Sequence, residues 1–276
     1  MQAHRMTGTS QKPAKLPGTR PKGARDEREA AARVRKMFSE IAPRYDFLNH
    51  LLSFSLDRIW RRRAASRFRR VLRRTDARVL DLCCGTGDLT FALNRVREQA
   101  IRDARAHRIP IIGCDFAQPM IRRARKKSRG HEHAATFIIA DALQLPFRDQ
   151  TFDLVSSAFG FRNLANYEQG LREIARVLKP GGQICILEFS EPRGAAAVLF
   201  RLYFRRILPL VGSALSGTRE PYFYLPGSVA KFPSPPEITA LMEKAGFHEV
   251  YFESWNFKSV VFHTARRTLA CSGDSS

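Results

Sequence analysis

The sequence predicts an α/β protein built on an open, mostly parallel sheet with helices on both faces. Short apolar segments alternate with amphipathic ones five times between residues 79 and 189, and strands connected in this way pair in parallel. The first apolar segment, 79–83, runs directly into a turn at Gly85 and Gly87, after which a helical pattern begins. A strand, a glycine turn and a helix N-terminus form the nucleotide-type crevice of such sheets.

The other elements are placed by their periodicity and their breakers. A helix is predicted from residue 29 to just before Pro43, and the segment that follows it fits a lid helix over the crevice. A basic helix is predicted over 58–74. The five strands are predicted at 79–83, 110–115, 136–140, 151–158 and 183–189, with helices beginning near residues 88, 117 and 167. A terminal pair of strands, 248–253 and 259–264, follows a helix over 236–245 and brings the sheet to seven strands.

The chain divides into a tail and one domain. Residues 1–28 are rich in Pro, Gly, Lys and Arg and are predicted to form a disordered basic tail. Residues 29–270 are predicted to be a single domain with an insertion over about 190–233. This insertion is rich in Phe, Tyr and Leu and is placed to cap an apolar substrate, although a packed helix pair would have a similar composition.

Composition excludes several classes of protein. The 276 residues are 44% hydrophobic, which is enough for one sizeable core, and no run of 18 apolar residues predicts a membrane span. The N-terminus lacks the apolar core of a secretory signal. Five cysteines without metal-ligand spacing indicate free thiols in a reducing cytoplasm, and no metal site is expected.

The net charge of +21 is concentrated in two segments. Residues 1–25 carry six lysines and arginines and no acid, and Arg58–Arg74 contains nine arginines and no acid. With Ile59, Ala64, Phe68, Val71 and Leu72 as its apolar face, the second segment resembles a basic amphipathic helix. Such a helix can lie on an anionic membrane, face nucleic acid, or simply be solvated, and the sequence leaves these readings open.

Acidic residues around the glycine turn indicate the ligand. A dinucleotide site needs a third small residue and a turn open to phosphate, whereas here Thr90 takes the third position and Asp88 lies beside the turn. Asp81 and Asp88 favour a ligand with cationic groups and no phosphate, such as S-adenosylmethionine (SAM). Asp115 ends the second strand, where an acid binds ribose hydroxyls, and an acid after the third strand can accept a hydrogen bond from an adenine amine.

Several segments resemble the ubiquinone/menaquinone biosynthesis C-methyltransferase family, and demethylmenaquinone methyltransferases in particular. The resemblance covers about residues 34–264. The motifs that carry it are Phe38–Asp46, Asp81–Asp88, Gly113–Phe116, Phe159–Asn163, Arg176–Gly182 and Leu187–Ser190. The glycine turn and the Leu-Lys-Pro-Gly-Gly segment are common to many SAM enzymes, whereas Pro-Arg-Tyr-Asp, Phe-Gly-Phe-Arg-Asn and Leu-Glu-Phe-Ser are more particular to this family.

The resemblance implies a class I SAM-dependent methyltransferase that methylates a ring carbon of a polyprenylated quinol. The acceptor would be demethylmenaquinol, or alternatively the corresponding benzoquinol of the ubiquinone pathway. With the contacts that the resemblance implies, the predicted cofactor residues are Tyr45, Asp81, Gly85, Thr86, Gly87, Asp115, Phe116, Asp141, Ala142 and Ala158. The chain departs from the family at Ala158, where a serine is usual, at Glu220–Leu225 and at Asn256–Ser259.

The catalytic prediction concerns the segment after the fourth strand. Arg162 would stabilise the developing quinol anion or orient a water that acts as base, and Asn163 would position the substrate. Both could instead only fix the loop. Tyr222, Tyr224 and His263 are weaker candidates, and Tyr45 fits packing as well as it fits ligand contact.

Two other function classes were weighed. A nucleic-acid methyltransferase would suit the charge, but the Asn/Asp-Pro-Pro-aromatic motif of amino-directed enzymes is replaced here by Ala158–Phe161. A non-catalytic protein with this fold would not need the full set of acidic strand ends. The expected partners are therefore a lipophilic quinol and, peripherally, anionic membrane at the inner face, without nucleic acid, and a homo-oligomer is compatible with the sequence.

Overall fold

The protein is described by a computed structural model that covers residues 18–21, 23–101, 107–129, 135–192, 198, 202 and 220–269. Its strands are β1 (Val79–Leu82), β2 (Ile112–Asp115), β3 (Thr136–Ile139), β4 (Phe152–Ala158), β5 (Leu178–Phe189), β6 (Phe247–Trp255) and β7 (Val260–Arg267). They form one seven-stranded sheet in the order β3-β2-β1-β4-β5-β7-β6. β1 to β5 are parallel, as the sequence predicts, whereas β7 is antiparallel to β5 and β6.

The described helices are α1 (Glu27–Ile41), α2 (Tyr45–Leu52), α3 (Leu56–Ser66), α4 (Arg69–Leu72), α5 (Asp88–Ala100), α6 (Gln118–Ser128), α7 (Tyr167–Val177), α8 (Glu220–Lys231) and α9 (Pro235–Lys244). Short 3₁₀ turns occupy Ala42–Arg44 and Phe161–Asn163. Asp26 caps α1 by accepting a hydrogen bond from the Glu29 amide, which satisfies one of the amides left free at a helix start.

Side chains of the sheet alternate between two apolar layers because successive residues of a strand point to opposite faces. Leu80 and Val155 pack with Phe161, while Val79 and Leu154 pack on the opposite face. Asp81 lies on the same face as Val79, two residues along β1. The buried carboxyl of Asp81 is therefore directed toward the layer that α3 and α5 cover.

The site is positioned by the strand order. From β1 the chain adds β2 and β3 on one side of the sheet, and it then returns to add β4 and β5 on the other side. The order of the strands therefore reverses between β1 and β4, and ligands bind at the carboxyl ends of the strands at such a switch point. Cys83 and Phe159, which follow these two strands, both have positive φ angles, 53° and 59°. A Cβ on Gly160 would lie 2.4 Å from the Cβ of Cys83, so the two strand ends approach each other as only glycine allows.

The predicted tail and the predicted insertion are only partly described. Order begins before residue 28: the Thr19 amide donates to the Leu164 carbonyl at 2.7 Å, and α1 starts at Glu27. Residues 1–17 lie outside the described part. Most of the insertion also lies outside the described part, although its helix α8 is described. Residues 102–106, in the charged segment after α5, and residues 270–276, at the C-terminus, lie outside it as well.

Two predictions of secondary structure are wrong. The basic segment 58–74 forms two helices, α3 and α4, and its phase differs, since Ile59 is 60% exposed while Trp60 and Arg61 are buried. The fifth strand, predicted at 183–189, begins five residues earlier, because β5 starts at Leu178 directly after α7 ends at Val177. No helix within the described ranges is both long and apolar enough to cross a bilayer.

Candidate active site

Two adjoining cavities open at the carboxyl ends of β1, β2 and β4. The larger has about 690 Å³ of empty space and the smaller about 300 Å³. Tyr45, Cys83 and Gly85 line both cavities, so the two meet at the start of the glycine turn.

The larger cavity brings together most of the predicted contacts. From the cofactor set, Tyr45, Gly85, Asp115, Phe116, Asp141 and Ala142 line it, together with the predicted catalytic Asn163. Much of the remaining wall is apolar, with Phe38, Met120 and Phe159 among its residues. Tyr45 packs edge-to-face on Phe38 with ring centroids 6.0 Å apart, so its ring both supports α1 and faces the cavity.

Asp115 is a buried carboxylate at the centre of this cavity. Its Oδ2 accepts from the Gly85 amide at 3.0 Å and its Oδ1 from the Ala117 amide at 2.9 Å. Burial raises the pKa of Asp115 to about 6, and these amide hydrogen bonds lower it in part. The Phe116 amide also interacts with this carboxylate, which offers about four acceptor positions, so capacity remains for a hydroxyl donor.

The smaller cavity contains the other predicted contacts, Asp81, Thr86 and Ala158. Asp81 accepts from the Thr90 hydroxyl at 2.6 Å and from the Ser156 hydroxyl at 3.3 Å. Burial raises its pKa to about 7, because no cation within the described residues is in hydrogen-bond contact with it. A ligand cation in this cavity would supply the missing charge.

Arg61 also lines the smaller cavity, and the sequence analysis missed it. Its guanidinium is buried, pairs with Asp57 and lies 5.1 Å from the centre of the Phe159 ring. Burial disfavours the cation, but Asp88 and Asp57 raise the pKa of Arg61 above its usual value. The cavity therefore presents a guanidinium and a carboxyl that has no hydrogen bond to a cation among the described residues, although the charge of Arg61 lowers the pKa of that carboxyl in part. This pair suits a ligand carrying both charges.

The glycine turn makes structural contacts through Thr86, Gly87 and Asp88. The Lys127 ammonium donates to Asp88 at 2.7 Å and to Asp46 at 3.2 Å, and the Thr86 hydroxyl donates to Asp46. Asp88 lines the smaller cavity, as expected of a residue that faces the ligand, but its charge is already balanced by Lys127. Gly87 lines neither cavity and caps α5 with φ 90°. These contacts fasten α2 to the glycine turn.

A metal is a poor match for the cluster of His50, Asp57 and Asp88. His50, Asp57 and Asp88 place potential ligand atoms within 4.8 Å of one another among the described residues. Arg61 already pairs with Asp57, and Lys127 with Asp88. The charge that an ion would bring is therefore supplied by side chains.

Arg162 lies behind the cavity wall. Its guanidinium donates to Glu188 at 2.7 Å and to the Phe159 carbonyl, and its amide donates to the second Glu188 oxygen at 3.1 Å. Both side chains are buried, and Arg162 is absent from the lining of either cavity. The pair holds the loop after β4 against the end of β5.

Asn163 is oriented by a residue distant in sequence. Its Oδ1 accepts from the Tyr224 hydroxyl at 3.0 Å, and that hydroxyl is 2.9 Å from the Thr19 hydroxyl. Tyr224, on α8, therefore links the N-terminal segment to a predicted catalytic residue. Its role is more specific than the packing that the sequence favours.

Replacing Tyr224 with phenylalanine tests this link. We expect the free energy of unfolding to fall by about 1 kcal/mol, because two hydrogen bonds are lost while the ring remains. If Asn163 positions the acceptor, kcat falls several-fold while cofactor affinity is unchanged. Urea unfolding and kinetics would check this, with exposed Tyr251→Phe as the control. A Tyr224→Phe protein that matches Tyr251→Phe in both measurements would contradict the positioning role.

Comparison with known proteins identifies the family of this chain. The model of the ubiE/COQ5 methyltransferase family matches residues 25–267. This chain belongs to the ubiE/COQ5 methyltransferase family. Among its curated relatives, the demethylmenaquinone methyltransferase of Thermus thermophilus is 46% identical over 84% of this chain and 100% of its own length. The ubiquinone/menaquinone biosynthesis C-methyltransferase UbiE of Geobacter sulfurreducens is 42% identical over 87% and 91%.

A solved structure supports the fold independently. A SAM-dependent methyltransferase of Thermotoga maritima, described as a possible histamine N-methyltransferase, aligns with a TM-score of 0.53. The alignment covers 84% of this chain and 100% of that one at 17% identity, so the likeness concerns the fold. The predicted class I methyltransferase fold and the predicted methyltransferase activity are both confirmed.

The departures from the ubiE/COQ5 pattern lie at different distances from the cavities. Ala158 lines the smaller cavity, where it adds no polar group. In the segment 220–225, Tyr224 contacts Asn163, and the side chains of residues 220–223 lie outside the described part. Asn256–Ser259 forms the β6–β7 turn with three positive φ angles, two strands away from the switch point.

Proposed function

We propose that this ubiE/COQ5 family member transfers the methyl group of SAM to a ring carbon of a polyprenylated quinol, with demethylmenaquinol as the acceptor. The observation that carries the proposal is the match to relatives named demethylmenaquinone methyltransferase over nearly the whole domain. The name of the Geobacter sulfurreducens relative includes ubiquinone biosynthesis, so the benzoquinol of that pathway is the second candidate acceptor.

The residues of the two cavities fit SAM. In the larger cavity, the free acceptor positions of Asp115 suit ribose hydroxyls, and Asp141 and Ala142 suit the adenine edge. In the smaller cavity, Asp81 suits an ammonium and Arg61 suits a carboxylate, which are the two charges of the amino-acid end. When bound, SAM supplies a methyl group on a cationic sulfur.

The acceptor belongs on the side of the larger cavity formed by the loop after β4. Carbon methylation requires an electron-rich ring carbon, which a quinol provides once a hydroxyl has lost its proton. Asn163 is placed to orient a quinol oxygen, and the apolar wall around Phe159 and Leu164 suits a hydrophobic ring. Arg162 contributes indirectly, through the loop that it holds. Holding both reactants in a reactive geometry can lower the activation free energy by up to roughly 7–11 kcal/mol in total.

The decisive experiment is methyl transfer from labelled SAM to reduced demethylmenaquinol, in parallel with a ubiquinone-pathway benzoquinol that lacks the same methyl group. We expect turnover of the naphthoquinol. Asp115→Asn is the control that should lose SAM binding and therefore turnover, since it keeps the side-chain shape and removes the charge. Turnover of the benzoquinol alone would select the second acceptor. Binding of SAM without turnover of either quinol would refute the proposed acceptor class.

SAM affinity should rise with pH through the pKa of Asp81. Because burial raises this pKa to about 7, the carboxyl is mostly neutral at pH 6 and cannot balance an ammonium. From about pH 6 to about pH 7.5 the ionised fraction, and with it the affinity, increases by nearly tenfold. Isothermal titration calorimetry at a series of pH values measures this change.

The raised pKa of Asp81 also determines how the free energy of unfolding changes with pH. The unfolded carboxyl ionises near pH 4 and the folded one near pH 7, so the free energy of unfolding contributed by Asp81 decreases as pH rises between these values. Asp81→Asn should remove most of both dependences and leave the smaller one of Asp115. An affinity profile that is identical in Asp81→Asn would contradict the assignment of the ammonium to Asp81.

A further inference from the structure

Four large apolar side chains are exposed within a short stretch of α2, α3 and the turn between them. Phe47 is 62% exposed, Leu51 43%, Phe54 76% and Ile59 60%. Phe47 and Leu51 are four residues apart on α2 and therefore share one face of that helix. Four of the eleven large hydrophobic side chains that are exposed among the described residues lie between positions 47 and 59, which we call the α2–α3 patch.

The charge around the α2–α3 patch has one sign. Arg58 and Arg62 are exposed, lie one turn apart beside Ile59, and form no ion pair with any described residue. The acids of this stretch are engaged elsewhere: Asp57 is buried against Arg61, and Asp46 pairs with Lys127. The patch therefore combines apolar side chains with uncompensated positive charge.

Three other arginines of the same basic segment are held in ion pairs. Arg63 and Arg67 both pair with Glu253, and Arg74 pairs with Asp76 and Asp153. Arg70 and Arg73 are also exposed and form no ion pair with a described residue, so the distinguishing feature of the α2–α3 patch is that its unpaired charge adjoins exposed apolar side chains. A solvated basic face would not need apolar side chains at its centre.

The α2–α3 patch is the outer surface of the helix that covers the cavities. Tyr45, at the start of α2, lines both cavities, and Asp46 fastens the helix to the glycine turn. Phe47 and Leu51 point away from that contact into solvent. A surface that receives the patch would therefore contact the helix that carries Tyr45 of the cavity wall.

We propose that the α2–α3 patch docks on a bilayer surface that contains anionic phospholipid. The four apolar side chains enter the boundary between headgroups and acyl chains, and Arg58 and Arg62 contact lipid phosphates. Docking places the cavities against the leaflet that holds a lipid-borne acceptor. The acceptor in this step rests on the proposed function, whereas the docking itself rests on the exposed residues alone.

Flotation with vesicles tests the docking without reference to catalysis. The full-length protein is mixed with phosphatidylglycerol/phosphatidylcholine vesicles or with phosphatidylcholine alone, and the bound fraction is measured. We expect binding to the anionic vesicles, and we expect Phe47→Ser/Phe54→Ser to reduce the partition coefficient by about tenfold or more. Phe257→Ser, on an 83% exposed side chain of the β6–β7 turn, should bind like the unchanged protein.

A charge-matched pair of variants separates the patch from general basicity. Arg58→Gln/Arg62→Gln and Arg70→Gln/Arg73→Gln remove the same charge from exposed positions. We expect the first pair to weaken binding several-fold more than the second. Equal losses from both pairs, unchanged binding of Phe47→Ser/Phe54→Ser, or a change in sedimentation that shows the patch joining two copies of this chain would each overturn the proposal.

Activity measurements keep this proposal distinct from the proposed function. With a water-soluble, short-tailed quinol, the patch variants should turn over as the unchanged protein does, since none of the altered residues lines a cavity. With a long-tailed quinol in anionic vesicles, Phe47→Ser/Phe54→Ser should lose most of its rate. Absence of turnover in every protein, with vesicle binding still dependent on the patch, would refute the acceptor and leave the docking intact.

Discussion

Replacing Glu188 with alanine should lower the free energy of unfolding by about 3–5 kcal/mol, because it leaves a buried guanidinium without its counter-ion. Glu188 is fully buried and accepts from the guanidinium of Arg162 at 2.7 Å and from its amide at 3.1 Å. Together these groups fasten the loop after β4 to the end of β5. Urea unfolding measures the loss.

Two matched variants make the Glu188 prediction specific. Arg162→Met/Glu188→Leu removes both charges and keeps most of the volume, so its stability should return to within about 1–2 kcal/mol of the unchanged protein. Asp76→Ala breaks an exposed pair with Arg74 and should cost less than about 1 kcal/mol. If Glu188→Ala cost no more than Asp76→Ala, the ion pair would not be what holds the loop.

The double variant also separates the two roles predicted for Arg162. If Arg162 only holds the loop, Arg162→Met/Glu188→Leu should keep both SAM affinity and most of its turnover. If its charge stabilises the quinol anion, the double variant should bind SAM but lose turnover by 10²-fold or more, on the order of a lost electrostatic contact to a transition state. The burial of Arg162 and its pairing with Glu188 favour the first outcome.

The part of the site that could be predicted is the part encoded locally. Asp81, Gly85 and Asp115 follow or end apolar segments, so their place at the carboxyl edge is a consequence of strand direction alone. Their contacts with one another confirm it, since the Gly85 amide donates to Asp115 across two strands. The parallel pairing of β1 to β5 similarly follows from an alternation that is visible in the sequence, whereas the order of the strands does not.

The remaining contacts depend on pairings that no local pattern encodes. Tyr224 reaches Asn163 and Thr19 across 61 and 205 positions of the chain. Arg61 lies in a run of arginines, so its burial has no signal in the local sequence. The apolar face predicted for this helix includes Ile59, whereas the buried residue is its neighbour Trp60, so the predicted face is off by one residue. The burial of an arginine is explained only by Asp57 and by the cavity beside it, which become neighbours once the chain is folded.

Replacing Arg61 with methionine should weaken SAM binding by about 100-fold, as the loss of a buried charge pair with a ligand carboxylate does. The guanidinium lines the smaller cavity, and Asp57 occupies only some of its five donors. An arginine with donors left over, beside a carboxyl whose pKa is raised by burial, would suit the two charges of a zwitterion. Isothermal titration calorimetry with SAM measures the loss.

A ligand that lacks the amino-acid end makes the assignment of Arg61 testable even if the variant is less stable. 5′-Methylthioadenosine retains the adenosine that the larger cavity suits and has neither carboxylate nor ammonium. Arg61→Met should therefore bind it as the unchanged protein does, and the ratio of the two dissociation constants should change by the full 100-fold. Arg62→Met, on the adjacent exposed arginine, should change neither constant. Equal losses for both ligands would mean that Arg61 supports the fold of the cavity and that the carboxylate is bound elsewhere.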